Sequence, residues 1–535
     1  MSETAQATRF GAREWAIARP WLAAHWFPLG VASISVAAAL FLFHQLLAWP
    51  PHEDEALPLF IGRHPLDEMF QVVLEERGGA PLHFVLAWTV AHLELGLEGL
   101  RAVSAFFAVA SLPVVALLLA RLAGRVPALV GTLVVATSWT FLFHGVYGRM
   151  YSLFLFTAAL SYLALLRALE RGGRRAWALW ALAILATVAT HPYGALVLAS
   201  QGAFVVAARR ERLREAFWAF GAVAVLGIPF WLTDLVLAGR FDAGVAAGSR
   251  LDVVEYVWQA AGDFTAGFPV LPAVLVAAAA GLAALPRDAR ILTACATVVP
   301  LAALVVARST GSPETRHLIF VLPFVALAVG AGVARLGRLW GTAALAVLVL
   351  AQLAWTWDRT PELFEWEPDV RQEARSDAAA YLAATTAGND VLLGYDPLFL
   401  QAWEQNPDVP LVVLPRADAD LALHSLLSLE RPLGHGVWVL DSSKTTNIER
   451  SLQIPRVSPR PESAFDVRDF GPFLVIRTRE PVVTPERYLQ RAGEAMLVGK
   501  RLYLGDADIN LPTIERAARA LRGYGASRSL STSSR

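Results

Sequence analysis

The sequence predicts an all-α polytopic transmembrane bundle followed by an extracytoplasmic α/β domain, and composition and charge distribution carry that prediction. Hydrophobic residues make up 56% of the 535 residues and charged residues only 17%, whereas soluble proteins carry roughly 25% charged residues. About half of the charged residues fall in the last third of the chain, from Asp358 onward. The first two thirds are therefore too apolar to remain in water, which excludes a soluble enzyme, a disordered chain and a nucleic-acid-binding protein.

About eleven apolar runs approach the roughly 20 residues that a helix needs to cross a bilayer. The first run is long enough to span and has no small-residue cleavage site behind it, so we interpret it as an anchor and not as a signal peptide. The predicted spans are Phe27–Trp49, Ala102–Ala120, Ala128–Phe143, Tyr151–Ala168, Trp177–Thr190, Tyr193–Ala208, Phe217–Leu237, Phe268–Leu285, Ile291–Ala307, Leu318–Ala334 and Leu339–Trp355.

Arginine predicts the orientation of these spans, because cytoplasmic loops carry an excess of basic residues. Together with the N-terminal segment, residues 1–26, alternate loops place about 17 arginines on one face against about 7 on the other. We therefore predict a multi-pass cell-membrane protein whose N-terminus is cytoplasmic. The first loop, residues 50–100, then lies on the outer face. Leu66–Glu76 is predicted there as a helix at the membrane surface, and Pro81–Leu97 as an interfacial or re-entrant helix.

The remaining boundaries follow from the change in character after the last span. Residues 27–357 form the predicted membrane domain, 358–526 the outer α/β domain and 527–535 a disordered tail. Short apolar runs alternate there with helical stretches, at Glu373–Thr386 and Ala417–Ser428. The predicted strands are Val391–Asp396, Leu411–Pro415, Gly436–Asp441 and Phe473–Thr478.

Polar residues beside such an apolar bundle are the candidates for chemistry, because each is costly there unless it is paired or functional. His52-Glu53-Asp54-Glu55 directly follows the first span. A carboxylate at this position could act as a general base toward an acceptor hydroxyl. The same residues are equally consistent with a solvated acidic start of the loop.

Further candidates begin other spans on the predicted outer face. Arg149 could pair with a phosphate and Tyr151 could donate a hydrogen bond to it. Arg308 and Arg316 flank a short outer loop and could together hold a divalent anionic head group. All of these residues could instead be ordinary interfacial anchors.

Histidines complete the set of outer-face candidates. His191 and Tyr193 lie in a His-Pro-Tyr-Gly turn, His317 follows Arg316, and His83 lies in the apolar part of the first loop. No pair of ligands has a spacing typical of a metal site, so the sequence predicts neither a metal nor a soluble cofactor. The single cysteine, Cys295, lies within an apolar run and is predicted to be a packing residue.

These motifs, taken in order, resemble the GT-C superfamily of integral-membrane glycosyltransferases. The similarity is to the bacterial branch that includes protein O-mannosyltransferases (glycosyltransferase family 39) and lipid A aminoarabinose transferases, and it covers roughly residues 27–355. It is carried by Asp54-Glu55-Ala56, Gly79-Ala80-Pro81-Leu82, Arg149-Met150-Tyr151, His191-Pro192-Tyr193-Gly194 and Thr315-Arg316-His317.

The resemblance implies transfer of a sugar, with inversion, from a polyprenyl-monophosphate donor to a hydroxyl of a lipid, glycan or protein on the outer face. It implies Asp54 or Glu55 as the base and Arg149 and Arg316 near the donor phosphate. His317 and His83 depart from the family's usual tyrosines, which puts the contacts to the donor sugar in doubt. The alternatives are a transporter, a ligase that uses a diphosphate-linked donor, and a membrane scaffold without catalytic activity.

Overall fold

The protein, described here by a computed structural model, is predominantly helical up to residue 364. The structure describes residues 3–49, 51–77, 79–240, 250–306, 315–364, 370–393, 397–406, 413–414, 432–441 and 461–502. The helices up to the first outer loop and through the membrane region are α1 (Glu3–His44), α2 (Glu53–Gly62), α3 (Leu66–Gln71), α4 (Pro81–His92), α5 (Gly96–Ala123), α6 (Arg125–Thr137), α7 (Trp139–Val146), α8 (Tyr151–Arg171), α9 (Arg174–Thr190), α10 (Gly194–Ala208), α11 (Leu213–Leu226), α12 (Ile228–Arg240), α13 (Arg250–Phe264), α14 (Leu271–Ala284), α15 (Arg287–Val306), α16 (Leu322–Arg335) and α17 (Gly337–Arg359).

Five helical segments within the described residues are long and apolar enough to cross a membrane. They are Ala24–His44, Gly96–Ala123, Tyr151–Arg171, Thr315–Arg335 and Gly337–Arg359. Two bent pairs, α6 with α7 and α11 with α12, raise the number to seven if each pair is one span. The chain is thus an integral membrane protein. Each of the eleven predicted runs falls mostly on helical residues, but a count of eleven spans stays a prediction.

The first outer loop contains short helices that lie against the membrane bundle. The twelve residues of α4 extend about 18 Å at 1.5 Å per residue, which is too short for a hydrocarbon core of about 30 Å. α3 continues into a π-helical segment, Val72–Arg77, so the predicted helix over Leu66–Glu76 is present. α2 packs against α4 and α5, and this packing brings the start of the loop back to the bundle.

Glycine permits the close approach of α14 and α16. A Cβ atom on Gly281 would lie 1.8 Å from the carbonyl oxygen of Ala328, and one on Gly332 would lie 2.0 Å from that of Ala277. Both distances are far inside van der Waals contact. Small residues at the crossing therefore allow the two backbones to touch, as is typical of helix pairs in membranes.

The C-terminal segment contains a five-stranded sheet with the strand order β2-β1-β3-β5-β4. Its elements are α18 (Val370–Thr385), β1 (Val391–Leu393), α19 (Pro397–Gln405), β2 (Val413–Leu414), β3 (Gly436–Asp441), β4 (Phe465–Asp469), β5 (Phe473–Thr478) and α20 (Pro485–Leu502). β1 is parallel to β2 and β3, whereas β5 is antiparallel to β3 and β4. Four strands lie where the sequence predicts them, and β4 was not predicted because polar residues interrupt its apolar positions.

The sheet segment is joined to the first outer loop by α19, which packs against α2 and α18. Phe399 on α19 is fully buried in the same apolar core as the membrane bundle. The predicted helix over Ala417–Ser428 and the predicted tail 527–535 lie outside the described residues. The domain boundaries and the extracytoplasmic placement of this segment stay predictions.

Candidate active site

His52 fixes the position of the carboxylates that follow the first span. Its ring Nδ1 accepts a hydrogen bond from the backbone N–H of Asp54 at 3.1 Å. The backbone N–H of His52 donates to Oε2 of Glu55 at 3.1 Å. This reciprocal pair forms a capping box at the start of α2. Asp54 and Glu55 are therefore held in the first helical turn, but their side chains point to different surroundings.

Glu55 is fully buried and enclosed by hydrogen-bond donors. Its carboxylate forms a bidentate ion pair with Arg101 of α5, with distances of 2.8 Å from Nε to Oε1 and 2.7 Å from Nη2 to Oε2. The N–H of Gly148 donates to Oε1 at 2.7 Å. Nη1 of Arg101 donates to the carbonyl oxygens of Leu46 and Trp49. The pair thus ties the end of the first span, α2, α5 and the loop at residue 148 together.

The loop that carries Arg149 is produced by a break in a helix. α6 ends at Thr137, Ser138 is extended, and its hydroxyl caps α7 by accepting from the N–H of Phe141. The two helices meet at 54°, so the predicted span Ala128–Phe143 is bent. After α7, the hydroxyl of Ser104 lies 2.8 Å from the carbonyl oxygen of Tyr147 and anchors the loop to α5.

Asp54 is surrounded by hydrogen-bond donors and positive charge. The hydroxyl of Tyr147 lies 3.2 Å from Oδ2, and Nη2 of Arg316 lies 3.4 Å from the same atom. Nη1 of Arg149 donates to the backbone carbonyl oxygen of Asp54 at 2.8 Å. The side chain of Asp54 is nevertheless 31% exposed, so its carboxylate remains accessible to a second molecule.

The electrostatic environment keeps Asp54 ionised. Burial raises the pKa of its carboxyl, but Arg149, His52, Arg316 and the Tyr147 hydrogen bond outweigh burial and hold the pKa well below its usual range. Burial and the nearby carboxylates raise the pKa of Tyr147 well above its usual value, so its hydroxyl keeps its proton. Asp54 is therefore ionised at any pH near neutrality.

Arg316 lies in a short 3-10 segment, Thr315–Val321, that precedes α16. Its guanidinium lies over the ring of Tyr151 at 5.2 Å from the centroid. The segment is held by Asp263 of α13, which accepts from the hydroxyl of Thr315 at 2.8 Å and pairs with Arg359 at 3.1 Å. These contacts keep Arg316 beside Asp54.

His191 and His317 are hydrogen-bonded to each other beside Tyr151. Nε2 of His191 lies 3.0 Å from Nδ1 of His317, and the backbone N–H of Tyr193 donates to Nδ1 of His191. Since burial lowers the pKa of His191 well below its usual value, the ring is neutral and its proton lies on Nε2. His191 then donates to His317, whose own proton is placed on Nε2. The ring of Tyr193 packs against both histidines.

His83 contributes a buried ring from α4. Burial, reinforced by the charge of Arg149, lowers its pKa to about 3, so the ring is neutral. Among the described residues, its Nε2 and the Nε of Arg149 are buried polar atoms without a hydrogen-bond partner. Buried polar groups are usually satisfied, so each of these atoms is a candidate for a contact to a polar ligand.

The structure brings most of the predicted candidates to one end of the bundle. Asp54, Arg149, Tyr151 and Arg316 meet there, with the histidines and Tyr193 beside them, whereas Arg308 lies outside the described residues. The sequence analysis did not identify Tyr147, Arg101 or Asp263 as important. For Arg101 a signal existed, because it directly precedes the predicted span Ala102–Ala120 and a charge at the edge of an apolar bundle is costly unless it is paired.

No group of three or more His, Cys, Asp or Glu side chains that could hold a metal ion occurs in the described part of the chain. What the site offers instead is one accessible carboxylate and two guanidinium groups. A guanidinium binds phosphate well because its fixed N–H groups match two oxygens of the anion. The arrangement can therefore remove a proton and hold an anionic group at the same place.

Comparison with solved structures identifies the fold. The crystal structure of ArnT from Cupriavidus metallidurans bound to undecaprenyl phosphate is 14% identical, covers 84% of this chain and 98% of its own, and has a TM-score of 0.54. The apo state of the same protein gives 14% identity and a TM-score of 0.49, with coverage of 85% and 98%. The Archaeoglobus fulgidus oligosaccharyltransferase in complex with Zn and sulfate is 13% identical and has a TM-score of 0.47, and the match covers 77% of this chain and 68% of that chain.

No family model matches the sequence, and no curated protein matches it either. The similarity is therefore visible in the arrangement of helices and not in the overall sequence. The chain has the GT-C fold, as its sequence motifs predict.

Proposed function

On this GT-C fold, we propose that the protein is a membrane glycosyltransferase that moves a sugar from a polyprenyl-monophosphate donor to a hydroxyl acceptor. The observation that carries the proposal is the position of Asp54, an accessible carboxylate between Arg149 and Arg316. A base and two phosphate-binding groups at one membrane-facing end suit a donor whose head group is a phosphosugar and whose tail lies in the bilayer.

In the proposed reaction, Asp54 is the base. Both hydrogen bonds to its carboxylate reach Oδ2, so we assign the proton of the acceptor hydroxyl to Oδ1. The acceptor oxygen forms a bond to the anomeric carbon from the face opposite the phosphate. The bond between that carbon and the phosphate oxygen breaks, its electron pair stays on polyprenyl phosphate, and the configuration at the anomeric carbon inverts.

Arg149 and Arg316 would stabilise the leaving group. Negative charge grows on the phosphate as the bond breaks, and cations placed in advance stabilise that transition state without rearrangement. Tyr151, under the guanidinium of Arg316, would position it and donate to the phosphate, and Arg308 is proposed as a further phosphate contact. Glu55, whose carboxylate is occupied by Arg101, is assigned to holding the site together and not to proton transfer.

The neutral rings would contact the donor sugar. His83 carries a buried Nε2 without a partner among the described residues, and the rings of His191 and His317 are hydrogen-bonded to each other beside Tyr193. Such groups bind sugar hydroxyls without adding charge. The undecaprenyl phosphate bound to ArnT, a protein of the same fold, is a lipid of the class that this donor would release.

Arginine asymmetry supports an outer-face reaction, with the N-terminus in the cytoplasm and residues 358–526 outside the cell membrane. The donor carries its own activation, so the proposed reaction needs neither a metal nor a soluble cofactor. The acceptor can be a lipid, a glycan or a protein, and the proposal leaves the sugar open.

Release of polyprenyl phosphate from a panel of polyprenyl-monophosphate sugars tests the proposal. The purified protein is incubated with each donor and an envelope fraction, and Asp54→Asn is compared with Asp67→Asn, an exposed aspartate of α3 in the same loop. We expect release by the wild type and by D67N and a loss of at least a hundredfold in D54N, assayed at a temperature at which thermal unfolding shows all three proteins to be folded. Absence of release from every donor would refute the glycosyltransferase and leave a transporter or a scaffold.

A further inference from the structure

A cleft of about 820 Å³ separates the first outer loop from the C-terminal segment. This volume lies within the range of ligand-binding pockets, roughly 300–1,000 Å³. One wall comes from the end of α4 and the turn that follows it, and the other comes from α18 and α19. The site described above uses none of the residues that line this cleft.

The lining includes the residues on either side of α2. Pro51 precedes α2 and stands three residues before Asp54, and Arg63 follows the last residue of α2. The ten residues of α2 separate these two lining residues by about 15 Å. A ligand that fills the cleft would therefore be an extended molecule with one end close to the proposed base.

The polar lining contains both hydrogen-bond donors and acceptors in small, fixed groups. Gln401 donates from Nε2 to the hydroxyl of Ser376 at 3.0 Å, which leaves its amide oxygen as an acceptor and the Ser376 proton as a donor. The carboxylates of Glu94 and Glu98 are exposed at the opposite wall. Sugar hydroxyls both donate and accept, so such a mixed lining matches them.

Trp403 and Arg63 form a flat part of the wall. The guanidinium carbon of Arg63 lies 3.1 Å from the centroid of the Trp403 ring, and its Nη2 lies 3.9 Å from Oε1 of Glu404. The stack holds both side chains in a single orientation. A pre-ordered planar surface next to carboxylates and amides lowers the entropy cost of binding a polar ligand.

We propose that this cleft binds a glycan chain, the acceptor of the sugar transfer, and presents its terminal hydroxyl to Asp54. The proposal rests on the proposed function, to which it adds the acceptor class. Polyprenyl phosphate suits the cleft poorly, because the three carboxylates of its lining outnumber the two guanidinium groups, those of Arg63 and Arg375. An extended peptide does not suit it either: within the described part of the chain no strand residue lines the cleft, which therefore offers no sheet edge for pairing.

Cysteine labelling tests occupancy without requiring activity. Ser376→Cys and its neighbour Asp377→Cys are each made in the full-length Cys295→Ala protein. Both positions are exposed, but only residue 376 lines the cleft. The probe is a mixture of short glycan fragments released from the cell envelope and freed of lipid and protein. We expect the fragments to slow maleimide labelling of S376C at least fivefold and to leave D377C unchanged.

A blocking variant links the cleft to the reaction. In Ser376→Trp, the indole would fill the cleft, whereas Asp377→Trp places the same group outside it. The readout is the ratio of polyprenyl phosphate release with and without the glycan fragments. We expect this ratio to fall at least tenfold in S376W and to match the wild type in D377W, with equal thermal stability.

The outcomes separate the two proposals. Three results would each overturn the glycan cleft. The first is equal labelling of S376C with and without fragments, and the second is protection by a serine-rich peptide or by lipid micelles instead of by the fragments. The third is an equal ratio of polyprenyl phosphate release in S376W and D377W. A wild type that releases no polyprenyl phosphate would refute the proposed function, and protection of S376C would then still establish the cleft as a glycan site.

Discussion

Replacing Glu55 by glutamine distinguishes a carboxylate that holds the site together from one that takes part in the reaction. Glu55 and Arg101 are both fully buried and paired through two hydrogen bonds. Gly148 and His52 donate to the same carboxylate. In E55Q, an amide N–H₂ would face donors, and the charge of Arg101 would lose its counterion.

The expected cost is about 3–5 kcal/mol, because removing one partner of a buried ion pair leaves the other charge uncompensated. The effect should be a lower midpoint of thermal unfolding in detergent. Asp54→Asn is the comparison: its side chain is 31% exposed and pairs with Arg316 at 3.4 Å, and the interactions that lower its pKa also stabilise the folded state. D54N should thus lose stability as well, but less than E55Q, whose carboxylate is fully buried, and it should lose transfer at temperatures at which the protein is still folded.

A double-mutant cycle measures the coupling free energy between Glu55 and Arg101 directly. Glu55→Gln and Arg101→Met are measured singly and together, and the combined loss of stability should be smaller than the sum of the single losses. An E55Q protein as stable as the wild type but inactive in transfer would refute this reasoning and make Glu55 a catalytic residue.

Three further predictions concern the same site. Arg316→Gln removes one of the charges that lower the pKa of Asp54 while burial still raises it, so the pKa should rise and the acid limb of the pH profile of polyprenyl phosphate release should move to higher pH. Tyr147→Phe removes the hydroxyl that lies 3.2 Å from Oδ2 and should lower kcat about tenfold, or ~1.4 kcal/mol, in steady-state kinetics. Asp263→Asn weakens the contacts that hold the segment of Thr315, and it should raise the KM for the donor, with a loss of stability of roughly 1–3 kcal/mol.

Each of these predictions has a result that contradicts it. An unchanged acid limb in the Arg316 variant would show that another group controls it. Equal kcat in Tyr147→Phe would remove Tyr147 from the positioning of the base. An unchanged KM for the donor in Asp263→Asn would mean that the 3-10 segment positions Arg316 without the contacts of Asp263.

The position of Asp54 explains why the protein keeps a carboxylate in a buried, arginine-rich place. Desolvation alone would favour the protonated acid, which could not accept a proton. The neighbouring arginines reverse that preference, and in the proposed reaction they would also hold the phosphate. When a phosphate binds there, part of this positive charge is neutralised, so the basicity of Asp54 should rise upon donor binding, which favours proton transfer in the complex.

Several features of the fold follow from the sequence because they depend on neighbouring residues only. Apolar runs place the membrane helices, and short apolar segments bounded by turn residues place four of the five strands. The outer-face motifs are sufficient to identify the GT-C fold. Local hydropathy and turn residues act over a few positions, and those signals can be read without knowing which elements pack together.

The bend after α6 is less visible in the sequence. The run Ala128–Phe143 is apolar throughout, so hydropathy alone indicates one straight span. The structure breaks it at Ser138, whose hydroxyl caps α7. A serine within an apolar run is compatible with both a continuous and a broken helix, and packing of the following residues against α5 decides between them.

The roles of Asp54 and Glu55 required the tertiary structure. The two residues are adjacent in sequence and identical in charge, so spacing could not separate them. Glu55 contacts Arg101, 46 residues away, and Asp54 contacts Arg316, 262 residues away. The sequence by itself determined that acidic and basic groups gather at one end of a membrane bundle. Only the tertiary structure decided which carboxylate is buried in an ion pair and which remains accessible. The reason is that the partners of the two carboxylates come from segments that meet only in three dimensions.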